Sequence, residues 1–162
     1  MTERTGYVVL DEDWDDQRRL DMTYAILDVL VADIAQGDFW IEWYIADQWP
    51  EDVRAAAERL RDRFSSAKDR TEDLYFTADL DGEVKDDCLL VAPFAHDVQL
   101  LGAGPGRRSR RMVAALHDEN SSNVFSLTAP QRAQVEAIVG AQNLRTLEEH
   151  HRLRSRPSRR GR

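Results

Sequence analysis

Apolar positions along this chain follow two alternating periods. Tyr7-Val8-Val9-Leu10 is a short β-prone run after Gly6. Leu20, Tyr24, Leu27, Val31 and Ile34 then recur at spacings of three and four, and Met22, Ile26, Val29 and Leu30 add a second apolar flank. The pattern predicts a helix covered by more than one element, with Gly37 as its C-cap. Asp11, Glu12, Asp13, Asp15 and Asp16 surround Trp14 just ahead of it, where carboxylates suit the positive end of the helix dipole.

Residues 39–45 switch to period two. Phe39, Ile41, Trp43 and Ile45 fall on one face and Trp40, Glu42 and Tyr44 on the other, which predicts a strand. Trp49-Pro50-Glu51-Asp52 opens a second helix, with proline in its first turn. Val53, Ala56, Ala57, Leu60 and Phe64 form its buried stripe; Arg54, Glu58, Arg61 and Asp62 are expected on its exposed, mutually paired face. Leu74, Phe76, Ala78 and Leu80 alternate up to Asp81-Gly82, a hairpin dipeptide, so a returning strand is expected through Cys88–Phe94. Val98–Leu101 adds a strand, residues 107–117 suit either helix or strand, and Val124–Leu127 is another short strand. Thr128-Ala129-Pro130-Gln131 is a capping box, opening a helix with Val135, Ile138, Val139, Leu144 and Leu147 inside.

These elements describe one α+β domain over residues 5–151, a mixed sheet of about four to six short strands with three or four packed helices. Residues 152–162 hold six arginines, one apolar residue and no acid. Such a segment cannot offset its ordering entropy by burial and is expected to be a disordered basic tail.

Composition narrows the classes. With 162 residues, 42% hydrophobic and 32% charged, the chain suits one globular domain. A single cysteine, Cys88, excludes an internal disulfide and a cysteine-built zinc site, which fits a reducing, cytoplasmic setting. The polar, acidic N-terminal stretch carries no secretory pattern, and the apolar runs are far shorter than the roughly 20 residues of a membrane span.

Charge changes the picture most. Residues 1–100 carry 25 acidic against 10 basic side chains, and residues 101–162 carry 5 against 12, so the overall −8 conceals two opposite halves. Such segregation bears on partners and association rates rather than on fold.

Catalytic and cofactor chemistry is faint by comparison. Asp11, Asp13 and Asp15 match the first ligands of a calcium loop, but the sixth position is Asp16 where glycine is required and the twelfth is Met22 where a bidentate glutamate belongs. A loop with Gly82 sixth lacks ligands at both ends, Thr77 and Cys88. Gly102-x-Gly104-x-Gly106 has the outline of a phosphate cradle, yet Pro105 removes a donor and no Lys-Ser/Thr follows. The adjoining Arg107, Arg108, Arg110 and Arg111 are the best candidate anion grip. His96-Asp97 and His117-Asp118 are local pairs able to orient an imidazole, but no nucleophile elbow accompanies them. Glu148 and His151 have the spacing of a di-iron bundle ligand pair without the second copy such a site needs. No catalytic residue, metal ligand or cofactor is assigned.

Trp40, Glu42, Trp43, Tyr44, Asp47 and Trp49 form the remaining cluster. Large aromatics among carboxylates suit a hot spot for a basic surface. The leading expectation is therefore a non-catalytic, inhibitor- or immunity-like module that presents an acidic, aromatic face to a basic protein partner. The alternatives are a nucleic-acid-associated protein using Arg107–Arg111 and the tail, a small enzyme of unrecognised family, and self-association of the tail of one copy with the acidic face of another.

Because both calcium-like stretches lack closing ligands, EDTA is expected to leave the melting temperature unchanged and calcium to raise it only marginally. A saturable, calcium-induced rise of several degrees would contradict this.

Overall fold

The computed structural model describes residues 3–65, 72–103 and 111–155, with the backbone alone at Tyr44 and Ile45. Within them the chain forms seven strands: β1 (Thr5–Val9), β2 (Gln36–Ile41), β3 (Leu74–Asp79), β4 (Asp97–Leu101), β5 (Met112–His117), β6 (Ser122–Leu127) and β7 (Leu144–Thr146). Five helices accompany them: α1 (Asp16–Leu30), α2 (Glu51–Phe64), α3 (Gly82–Val91), α4 (Ala129–Val139) and α5 (Leu147–Arg154). The α+β class stands. The sheet has more strands than expected, and every pairing is antiparallel in the order β3-β2-β4-β5-β6-β1-β7.

Alternation decides which face of this sheet is covered. Register aligns Ala78, Gly37, Leu100, Ala114, Phe125 and Tyr7 across six strands, and positions two apart carry Phe39, Ile41, Leu74 and Val98 onto the same side. These residues join one core with Ile26, Leu27 and Leu30 of α1, Leu60 of α2, Cys88 and Val91 of α3 and Val135 of α4. The Cys88 thiol is fully buried, and desolvation, helped by Asp87, pushes it up to about 12. The phenyl rings of Phe39, Phe76 and Phe64 stack nearly parallel at 5.0 and 4.5 Å, tying the β2–β3 edge to α2.

Several boundaries differ from the expectation, each for a physical reason. Asp81-Gly82 does not make a hairpin: Gly82, at φ +46°, turns the chain off the sheet edge into α3, while β3 pairs with β2. Val84, Cys88 and Val91 are buried at helical spacing, so the segment expected as a returning strand is helix. The Lys85 ammonium on that helix donates to the carbonyls of Val31 and Ile34 at 2.6 Å each, where a cation complements the C-terminal end of α1. Gly37 therefore is not the cap of α1; it lies inside β2. Strand β2 ends at Ile41, and a 3-10 turn over Trp43–Gln48 replaces the second half of the expected strand. Val31 is exposed, Leu144 lies in β7 and Leu147 opens α5, because Gly140, at φ +86°, ends α4. Arg61 is buried rather than exposed: its guanidinium lies 4.1 Å from the Trp43 ring and donates to the carbonyl of Glu72.

Other expectations match. Asp15 caps α1 by accepting from the Arg18 amide, Thr128 and Gln131 form the capping box of α4, and residues 112–117 are strand. Helix α5 runs through Arg152–Arg154, so the first residues of the expected tail are helical; residues 156–162 lie outside the described residues.

A methyl group at Gly37 would sit 2.4 Å from Phe39 Cε2 and 3.2 Å from Leu80 Cδ1. Gly37→Ala is expected to cost about 1–3 kcal/mol through overpacking at the phenyl stack, measured by chemical denaturation. An unchanged unfolding midpoint would contradict this account of the β2–β3 edge.

Candidate functional site

Burial of Phe39 and Ile41 on the core side of β2 sends Asp38 and Trp40 to the opposite face. The pairings of β2 then bring outward residues of its two neighbours alongside: Trp40 sits between Tyr75 and Asp97, and Asp38 between Thr77 and Gln99. Helix α5 packs on this side of the sheet at β1 and β7, where a Cβ added at Gly6 would lie 3.5 Å from Leu147 Cβ. The β3–β2–β4 end is left as a shallow groove of about 550 Å³, lined by Asp38, Trp40, Tyr75, Thr77, Asp97 and Gln99.

Two aromatic rings dominate the groove. Tyr75 is 62% exposed and stacks on Trp40 at 5.3 Å between centroids. The imidazole of His96 meets Trp40 edge-on at 4.0 Å. The indole Nε1–H of Trp40 donates to Asp73 Oδ2 at 3.2 Å, and the Trp43 amide donates to Asp73 Oδ1 at 3.3 Å. The Asp73 hydrogen bond and the flanking rings orient the Trp40 indole.

Two of the carboxylates around these rings are held by neutral donors. Asp38 accepts from the Thr77 hydroxyl at 2.6 Å and Asp73 from the two N–H groups just named. Asp97 Oδ1 lies 2.6 Å from His117 Nδ1, off the line of a hydrogen bond. Glu42 faces His96 Nδ1 at 3.4 Å. Among the described residues Asp38, Asp73 and Asp97 have no Lys or Arg partner. Elsewhere some acids pair with arginines: Asp11 and Asp16 hold Arg19, and Asp87 holds Arg59. The Tyr75 phenol is raised by partial desolvation and by Asp73 and Glu42, which registers the same negative field.

The expected partner-binding residues divide. Trp40 and Glu42 lie at the groove. Trp43 is half-buried under Arg61, Trp49 is buried with its ring 5.7 Å from that of Phe94, and Asp47 is exposed on the 3-10 turn beyond β2. Trp43 and Trp49 thus serve packing, because the chain leaves the sheet after Ile41. The Tyr44 side chain, Arg107, Arg108 and Arg110 lie outside the described residues; Arg111 is exposed and lines a separate cleft near Arg4 and Asp33. Tyr75, Asp38, Asp73 and Asp97 were missing from the expected face. The alternation of Leu74–Asp79 already pointed Tyr75 and Thr77 outward, but the hairpin reading gave β3 the wrong neighbour. The histidines likewise pair across strands, His117 with Asp97 and His96 with Glu42, rather than with their sequence neighbours.

Register also places Ser122 beside His117 and Asp97, the residue types of a hydrolytic triad. Side chains stand parallel off a sheet face instead of converging, and among the described residues no hydrogen bond joins Ser122 to the imidazole. Groups of three or more potential metal ligands are absent among the described residues, as is a helix long and apolar enough to cross a membrane. Comparison with protein-family models, with curated proteins and with solved structures gives no match.

An exposed ring stacked on Trp40 contributes little to folding. Tyr75→Ser is expected to lower stability by less than about 1 kcal/mol, the range of one cross-strand pair. A larger loss in denaturant titration would show that the ring is structural.

Proposed function

We propose that this protein is a non-catalytic binding module whose β3–β2–β4 face docks a basic protein partner, in the manner of an inhibitor or immunity protein. The reading rests on one observation: Asp38 and Asp73, fixed by neutral donors, and Asp97, beside His117, surround the stacked Trp40–Tyr75 pair and are unmatched by Lys or Arg among the described residues. Rigid aromatic rings bury area at low entropic cost, and arginine or lysine side chains of a partner would both stack on them and satisfy the carboxylates. The remaining acidic residues of the first hundred positions add a long-range field that speeds encounter and is screened over about 8–10 Å at physiological salt.

Quantitative capture from native lysate, with nuclease-treated and untreated samples, tests this reading when wild type is compared with a Trp40→Ala/Tyr75→Ala variant. Wild type is expected to retain a basic protein in a salt-sensitive, nuclease-insensitive manner. The variant should lose about 2 kcal/mol or more of affinity, mostly through faster dissociation. Asp38→Asn/Asp97→Asn should instead slow association and flatten its salt dependence. Equal retention by wild type and variant would overturn the proposal. Nuclease-sensitive retention would favour nucleic-acid association, and a salt-sensitive homodimer in sedimentation would favour self-association.

A further inference from the structure

The two edges of the sheet are built differently. At one edge, β7 is three residues long and leads straight into α5. At the other, β3 runs six residues, Leu-Tyr-Phe-Thr-Ala-Asp, with no proline, no lysine and no register shift against β2. Short length, prolines, lysines and bulges are what keep an edge from recruiting another strand, and β3 has none of these.

The phase of the ladder decides which backbone groups β3 leaves over. The Leu80 amide donates to the Ala35 carbonyl at 2.9 Å on the β3 side of β2, and the His96 amide donates to the Trp40 carbonyl at 2.9 Å on its β4 side. Antiparallel strands alternate hydrogen-bonded and non-hydrogen-bonded pairs, so Gly37, Phe39 and Ile41 exchange hydrogen bonds with Ala78, Phe76 and Leu74. Tyr75 and Thr77 therefore turn both N–H and C=O away from β2, and these groups have no partner among the described residues. Both residues are exposed, and their side chains stand on the groove face. Asp73, which accepts from the Trp40 indole, and Asp38, which accepts from the Thr77 hydroxyl, lie beside them.

A strand paired with β3 would satisfy the leftover groups, and geometry fixes where its side chains go. Residues opposite Tyr75 and Thr77 would turn their backbone to β3 and their side chains onto the groove face. Lysine or arginine at those alternate positions would lie over the Tyr75 ring and within reach of Asp73 and Asp38, which have no Lys or Arg partner among the described residues. A second copy of this chain fits poorly, because pairing its Tyr75 antiparallel with Thr77 sets Asp73 opposite Asp79. Given a basic partner for the β3–β2–β4 face, on which this inference rests, we propose that β3 docks an extended segment of that partner by strand addition. Main-chain hydrogen bonds to Tyr75 and Thr77 supply the hold, and alternate basic side chains the selectivity.

A capped peptide of alternating arginine and valine, titrated into the isotope-labelled full chain and followed by calorimetry and amide hydrogen exchange, is the probe. Saturable binding is expected, with exchange at the Tyr75 and Thr77 amides slowed about tenfold or more in the complex. N-methylation of the arginines, whose N–H groups face β3, should weaken binding about tenfold or more, whereas N-methylation of the valines, whose N–H groups face away, should not. Thr77→Pro, which removes an outward N–H and no ladder donor, should weaken binding likewise; Thr77→Val, which keeps the amide, should retain it. No saturable binding would overturn strand addition. Binding indifferent to arginine N-methylation, with both amides still exchanging freely, would also overturn it but leave charge-driven docking on the face standing. Binding that keeps its amide protection in Trp40→Ala and in Asp38→Asn/Asp97→Asn would support strand addition while removing the groove from the partner's footprint. Protection of both amides in the free chain, lost on dilution or on deletion of residues 156–162, would overturn the proposal in favour of a second copy or the chain's own C-terminal segment.

Discussion

The structure depends on the one-sided burial of β2. A strand alternates its side chains between two faces, so burying Phe39 and Ile41 against the helices leaves Asp38 and Trp40 no other place than the opposite surface. The phenyl stack Phe39–Phe76–Phe64 locks this register from the core side, and Gly37 provides the room it needs. A slip of one residue would bury Asp38 and Trp40 and expose the stack. What the outer face presents is therefore dictated by what the inner face must bury.

That face sets carboxylates without a Lys or Arg partner among the described residues beside the stacked Trp40–Tyr75 rings. Near α1 and α3, Asp11, Asp16 and Asp87 each lie against a neighbouring arginine, and isolated pairs of that kind add little stability. On the groove Asp38 and Asp73 instead accept from hydroxyl, indole and amide groups, which position them without cancelling their charge. Fixed negative charge beside exposed aromatic rings has a cost in self-repulsion and no visible return for folding. A cationic partner would supply that return.

Period and composition made much of this legible in advance. The alternation of residues 39–41 and 74–80, the capping box at Thr128 and the helix after Pro50 were read directly, since each depends on local chemistry. Failures arose where tertiary context chose between local options. Asp81-Gly82 supports a tight turn in a hairpin or an entry to a helix, and only the pairing of β3 with β2 selects the second. Trp43 and Trp49 carry the same hydrophobic signal as Trp40, and only the departure of the chain from the sheet after Ile41 buries them. Tyr75, Asp73 and Asp97 join the site through pairings between distant segments, which no spacing within either segment reveals.

The central claim is that exposed Tyr75 and half-buried Trp40 are left uncovered in the free protein so that a basic protein can cover them. Hydroxyl-radical footprinting, which modifies aromatic side chains according to their solvent exposure, tests it most directly when the free chain is compared with its captured complex. The account predicts strong labelling of Tyr75 and appreciable labelling of Trp40 in the free protein, both suppressed in the complex, with Trp49 protected throughout. Unchanged labelling of Tyr75 and Trp40 on complex formation, with protection appearing elsewhere on the chain, would contradict it.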